Sequence, residues 1–169
     1  MKVLVGYATA AGSTRGIADR IAARLSARGH AVDVRDLAAA PGLDAYDAFV
    51  LGSAVHDQAW LPEARAAVAG HETVLATRPV WLFSVGMPAA LPRWVRGWAA
   101  RKEQATVAAE LVTAVSPRDH RLFSGVIRRE DLGGVGRAAV RALGGRFGDF
   151  RDWDAVDAWA DGIADALVS

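Results

Sequence analysis

Short apolar runs alternate with segments of helical period along nearly the whole chain. Lys2–Tyr7 is apolar after its first residue, as expected of a strand covered on both faces. Behind it, Ile17, Ile21 and Leu25 recur at i, i+4 and i+8, which predicts a helix with one buried stripe. Gly29 stands where such a helix would stop, as a left-handed residue after the cap. Ala31–Arg35 reads as a weaker second strand and Ala48–Gly52 as a third. Pro62 opens a helix that ends near Gly70. Val80–Val85 is the fourth strand, and Leu91–Glu103 is helical in pattern, with Leu91, Val95 and Trp98 on one side. Arg121–Ile127 is the fifth strand. A short helix over Val135–Leu143, bounded by glycines, lies in the extra segment Arg128–Phe150. The last helix carries Trp153, Val156, Trp159, Ile163 and Leu167 on one stripe behind Asp152, an expected N-cap.

Five strands alternating with helices predict an α/β fold: a parallel sheet with right-handed crossovers and helices on both faces. No repeat or low-complexity linker divides the sequence, so residues 1–169 read as a single domain. In such sheets ligands bind beyond the carboxyl ends of the strands. The loops of interest are therefore Ala8–Thr14, Ser53–Trp60, Gly86–Leu91 and Arg128–Gly134.

Composition narrows the chemistry. Apolar residues make up 52% and charged residues 23%, a globular balance. The formal net charge is +1, which gives no support to general nucleic-acid binding. With no cysteine there is no disulfide, thiol nucleophile or thiolate-held metal, so redox chemistry would need a bound cofactor. No His/Asp/Glu set has metal-ligand spacing, and no Ser–His–Asp constellation is supported. No stretch approaches the apolar length of a membrane span. The start lacks the features of a signal peptide, so the expected location is cytoplasmic.

The first loop, Tyr7-Ala8-Thr9-Ala10-Ala11-Gly12-Ser13-Thr14, holds the strongest chemical signal. Small residues between a buried strand and a helix let backbone N–H groups converge on an anion, and the helix N-terminus adds partial positive charge. Thr9, Ser13 and Thr14 add hydroxyl donors. The loop is not a Walker loop, which requires a second glycine and a lysine. Gly134-Val135-Gly136-Arg137-Ala138-Ala139 fits the dinucleotide pattern G-x-G-x-x-A, but charged Arg128–Asp131 separates it from its strand and no complete βαβ unit follows. It reads as a glycine hinge.

Thr9-x-x-Gly12-x-Thr14 after the first strand resembles the phosphate loop of flavodoxins, with Ala11 where a hydroxyl residue is common. The resemblance covers nearly the whole chain and looks closest to the flavodoxin-type protoporphyrinogen oxidase branch, through Thr14–Ala18, Tyr46–Ala54, Phe83–Val85, Ser124-Gly125 and Asp152-Trp153. It implies a flavodoxin-like three-layer sandwich with a five-stranded parallel sheet in the order 2-1-3-4-5. It also implies FMN as cofactor, with a deazaflavin coenzyme as the alternative. The implied cofactor-binding set is Thr9, Ala10, Ala11, Gly12, Ser13 and Thr14 at the phosphate, with Ser53, Ala54, Val55, His56, Asp57, Ser84, Val85, Gly86 and Met87 flanking the isoalloxazine ring. No catalytic residue is assigned. That branch carries an aromatic and basic segment after its fifth strand. Here Asp131–Gly136 and an Arg/Ala-rich helix stand instead, so a porphyrin substrate does not follow.

His56 and Asp57 could face the flavin or simply solvent. Trp60 and Met87 could cover the ring, or Trp60 could pack at its helix start. Trp81, Trp94, Trp98, Trp153 and Trp159 are expected in or near the core. Arg93, Arg96, Arg101 and Lys102 form a solvated face or meet an acidic partner. Three functions fit: a flavin-dependent oxidoreductase, an electron-shuttle flavodoxin, or a flavin or deazaflavin carrier without turnover. The net charge favours the first over the usually acidic shuttles. The expected partners are FMN and an unidentified redox protein or small substrate, in a monomer or homodimer.

Overall fold

The structure is a computed structural model that describes residues 1–39, 42–86, 115–130, 133–142 and 146–168. Strands β1 (Lys2–Ala8), β2 (Ala31–Asp36), β3 (Ala48–His56), β5 (Val80–Gly86) and β6 (Asp119–Ser124) form a parallel sheet. Its order is β2-β1-β3-β5-β6, and a short strand β4 (Ala59–Trp60) pairs back on β3. Counting the five long strands alone, this is the 2-1-3-4-5 order expected from the sequence.

Strand alternation loads both faces. Val3, Val5, Tyr7, Ala48, Val50, Trp81, Phe83 and Val85 point to one side. There they meet helix α1 (Ser13–Ala27) and the C-terminal helix α5 (Trp153–Val168). The α1 stripe Ile17, Ile21 and Leu25 is fully buried, as are Val156 and Ile163 of α5 to within 1%. Leu4, Phe49, Leu51, Val80 and Leu82 point to the other side, against Ala64 and Val68 of α2 (Pro62–Ala69) and Leu75 of α3 (Glu72–Leu75). An apolar run buried on both faces is what a central parallel strand requires.

The ends of α1 and α5 follow their sequence signals. Gly29 has φ 89°, ending α1 in the left-handed region. Asp152 caps α5 by accepting the Ala155 N–H at 3.0 Å. Helix α4 (Gly134–Ala142) falls within one residue of the predicted short helix. The predicted helix Leu91–Glu103 lies outside the described residues, with Trp94, Trp98 and the Arg93–Lys102 group.

Two segments differ from expectation. The third strand does not stop at Gly52 but runs to His56 and turns straight back, pairing Val55 with Trp60 and His56 with Ala59. Asp57 and Gln58 make that turn at φ 50° and 64°, the signs a two-residue hairpin demands. So Ser53–Trp60 is mostly hairpin and not open loop. The fifth strand starts earlier and ends at Ser124, and Val126–Ile127 becomes a separate strand, β7, antiparallel to β8 (Gly148–Asp149).

Candidate functional site

The parallel register brings the carboxyl ends of four strands to one edge: Ala8 beside Ser53, Ser53 beside Ser84, and Gly86 beside Ser124. The first loop leaves β1 there. It is closed by the Thr9 hydroxyl oxygen, which accepts the Gly12 N–H at 2.9 Å. Gly12 has φ 86°, so a side chain there would be strained, and it delivers the chain into α1. No side chain caps α1 and no acidic residue sits in its first turn. Its first N–H groups lack intrahelical acceptors by geometry, and the aligned peptide dipoles favour an anion there. Thr14, the second residue of α1, is fully buried, and its hydroxyl has no hydrogen-bond partner among the described residues. Such a group costs stability unless something accepts from it or donates to it.

A hollow of about 140 Å³ opens beside this loop. Ala10, Ala11 and Ser13 line one wall; Ala54, Val55, Val85 and Gly86 line the floor and opposite wall. The fourth side is Gly125 to Arg128, at the turn from β6 into β7. Gly125 packs tightly there: a Cβ would lie 2.8 Å from Val85 Cγ1 and 3.0 Å from Ser13 Oγ, so a larger residue would displace those side chains. Its backbone is held on both sides: its N–H donates to the Gly86 carbonyl at the end of β5, and its carbonyl accepts the N–H of Phe150, just after β8. Arg151 then anchors the β8 end, donating to Asp149 from Nε at 2.9 Å and stacking on Trp153. That hydrogen bond from Arg151 holds the Asp149 carboxyl below its ordinary value.

The structure divides the expected site residues. It brings Ala10, Ala11, Ser13, Ala54, Val55, Val85 and Gly86 to one hollow, with Thr9, Gly12 and Thr14 in the adjoining loop. His56 and Asp57 sit at the hairpin tip, 78% and 93% exposed, with His56 Nε2 3.6 Å from Asp57 Oδ2. Met87 lies outside the described residues. Ser53 and Ser84 are fully buried, and their hydroxyls serve the protein interior. Ser53 Oγ donates to the Ala54 carbonyl and accepts the Leu61 N–H, fastening the start of α2 to β3. Ser84 Oγ accepts from Trp60 Nε1 at 2.8 Å and lies 2.8 Å from His120 Nε2. Trp60 therefore packs inside, under the α2 face. Burial lowers the affinity of His120 for a proton, which suits an Nε2 that accepts from Ser84. Gly125, Val126, Ile127 and Arg128 are the wall that sequence reasoning did not name residue by residue. The one signal was the Ser124-Gly125 dipeptide, which carried part of the family resemblance but lay within the expected strand Arg121–Ile127.

Two larger hollows, of about 530 and 550 Å³, run along β6 beside α5. In the first, the charged groups satisfy one another. Burial pushes the Asp119 carboxyl up, but hydrogen bonds from Trp159 and Arg121 outweigh it and hold the group below its ordinary value. Among the described residues no helix is long and apolar enough to cross a membrane.

The sequence matches the family described as Flavodoxin domain over residues 4–146. No curated protein matches it. Several solved structures share the fold. Oxidised flavodoxin 2 from Bacillus cereus is 23% identical, with a TM-score of 0.64, and each chain is covered over 100% of its length. A cysteine-substituted flavodoxin from Pseudomonas aeruginosa is 14% identical with a TM-score of 0.60, again over 100% of both chains. Rubredoxin oxygen:oxidoreductase from Desulfovibrio gigas is 17% identical with a TM-score of 0.64; the match covers 98% of this chain but 36% of that one. At these identities the likeness shows the fold alone. The comparisons carry the flavodoxin-like resemblance and lend no support to the protoporphyrinogen oxidase branch.

Proposed function

The chain belongs to the flavodoxin domain family, and from that premise we propose that it binds FMN, with the terminal phosphate in the Thr9–Thr14 loop, and acts as a soluble oxidoreductase. The observation that carries this reading is the Thr14 hydroxyl: buried, without a partner, and set at an uncapped helix N-terminus beside a hollow walled by small residues. A phosphate oxygen is the acceptor that this arrangement lacks. Ser13, the Gly12-to-Arg15 backbone and Thr14 would hold the phosphate. Ala54, Val55, Val85 and Gly86 offer apolar surface and backbone groups to the rest of the molecule. The flavin, when bound, supplies hydride or single-electron transfer; the protein binds it, orients it and restricts water. His56 and Asp57, at the exposed tip of the hairpin that follows Val55, are free to meet either the flavin or a partner.

Among the described residues that line the hollow there is no acid; Asp57, in the neighbouring hairpin turn, is 93% exposed. A reduced, anionic flavin would therefore meet little like-charge repulsion from the described lining. That favours an oxidoreductase over an acidic shuttle.

The test is direct titration with FMN, riboflavin, FAD and a deazaflavin. The loop suits a terminal phosphate monoester, so FMN should bind tightest, with riboflavin and FAD well behind. Equal affinity for FMN and riboflavin would overturn the phosphate assignment. A deazaflavin that outcompetes FMN would replace the cofactor while leaving the loop in place.

A further inference from the structure

A phosphate monoester carries about −1.5 to −2 charges at neutral pH. The first loop answers it with neutral donors and a helix end worth roughly half a positive charge. The loop itself holds no lysine or arginine, and Arg15, just beyond it, faces outward, 65% exposed and 3.7 Å from Asp19. Ala10 and Ala11, on the wall of the hollow, have no side-chain donor at all. Among the described residues that line this hollow, one is a cation: Arg128.

Its position follows from the fold. A Cβ at Gly125 would stand 2.8 Å from Val85 Cγ1 and 3.0 Å from Ser13 Oγ, so the chain passes close to the first loop there, and β7 then leads to Arg128, which lines the same hollow as Ala10, Ala11 and Ser13. Asp149 is a carboxylate that feels the Arg128 charge. Arg128 lowers that carboxyl from a distance, but Asp149 takes its hydrogen bonds from Arg151, so the Arg128 guanidinium is not committed to it. Arginine presents a planar fork that matches two phosphate oxygens.

We propose that Arg128 is the phosphate-holding cation of this site, supplied from the far end of the sequence in place of a basic residue in the first loop. The inference rests on the phosphate reading above. Binding would order an exposed side chain across the mouth of the hollow and neutralise charge that the loop only partly offsets.

The experiment is Arg128→Gln, with dissociation constants for FMN and riboflavin measured by flavin fluorescence at low and high salt. FMN binding should weaken by about 10-fold, the lower end for a hydrogen bond to a charged group because the side chain is exposed. Riboflavin binding should not change, and the salt dependence of FMN binding should become shallower. Arg128→Lys should keep the salt dependence while losing part of the affinity. Arg129→Gln, which alters the neighbouring exposed arginine stacked on Phe147, should leave FMN binding unchanged. Equal loss for FMN and riboflavin, no loss, or the same loss in Arg129→Gln would each overturn the proposal. These outcomes are separable from failure of the phosphate reading, which shows in the unaltered protein as no preference for FMN over riboflavin.

Discussion

The two ends of α1 are built on opposite rules. From Arg20 onward the helix is fastened by side chains at every turn. Arg20 makes two hydrogen bonds to Asp157, both of 2.6 Å, Arg24 makes two to Asp161, and Arg28 pairs with Asp165. The three pairs share one spacing, 137 residues apart, so α1 and α5 run parallel and in register. At its start the same helix has no side-chain cap, no acidic residue in its first turn, and a buried threonine hydroxyl with no partner among the described residues. The buried stripe runs the whole length of α1, but side-chain pairing with α5 belongs to its later turns and unmet hydrogen-bonding capacity to its start. An end can stay uncapped without loosening its helix when the buried stripe behind it is continuous, and that is the end to which the proposed phosphate site is assigned.

The largest effect should come from breaking the fastened body. Ile21 is fully buried between α1, α5 and the sheet. Ile21→Ala should cost about 2–5 kcal/mol of stability through lost transfer energy and a residual cavity. Urea unfolding of the cofactor-free protein reads this directly. Where the variant is still folded, its FMN affinity should match that of the unaltered protein. Weakened binding in the folded state would mean that the two ends are not independent.

The opposite manipulation sharpens the contrast, because it should act with two signs. Thr14→Val keeps the shape and removes the hydroxyl. A buried unsatisfied hydroxyl costs about 1–3 kcal/mol, so the cofactor-free variant should be more stable by an amount in that range. The same change should weaken FMN binding by roughly 10- to 150-fold, the worth of a hydrogen bond to a charged group. Unfolding curves and flavin titration on one preparation give both numbers. If both quantities fall together, Thr14 is a structural residue and the binding end is not unfinished.

This division was only partly legible in the sequence. The periodic segments were plain, because Ile17, Ile21 and Leu25, or Val156, Trp159 and Ile163, report burial through spacing alone. The small-residue loop at the start of α1 was legible for the same reason: it breaks the period between two strong elements. The hairpin at Asp57 and Gln58 was not, since that pair lacks the glycine that usually marks such a turn. Gly125 looked like one more position in an alternating strand; its close approach to Ser13 and Val85 joins residues far apart in sequence. Ser53 and Ser84 were expected at the ring through the family resemblance alone. Their side chains are buried, and period-two alternation puts Ser84 on the face of Leu82, in the layer under α2, where its hydroxyl accepts from Trp60. The Arg–Asp pairs between α1 and α5 were invisible, because each charge alone looks like a solvated surface residue.

The smallest effect should come from loosening one of those pairs. The hydrogen bond from Arg20 holds the Asp157 carboxyl below its ordinary value of 3.8. A carboxyl depressed in the folded state contributes stability above the unfolded value, and that contribution is lost as pH falls through the depressed one. Arg20 is well exposed, so its pair is screened and its contribution is modest. Arg20→Gln should therefore lower the urea midpoint slightly at neutral pH and low salt. The gap from the unaltered protein should narrow as salt is added, and close as pH drops below the carboxylate range, where Asp157 is protonated in both proteins. FMN affinity should not move, since Arg20 lies beyond the first turn of α1 and off the walls of the hollow. A gap that persists in acid would show that Arg20 acts through packing of its aliphatic stem against α5 and not through charge. A change in FMN affinity at any pH would show instead that the seam between α1 and α5 sets the geometry of the binding end, and the separation between the two ends would fail.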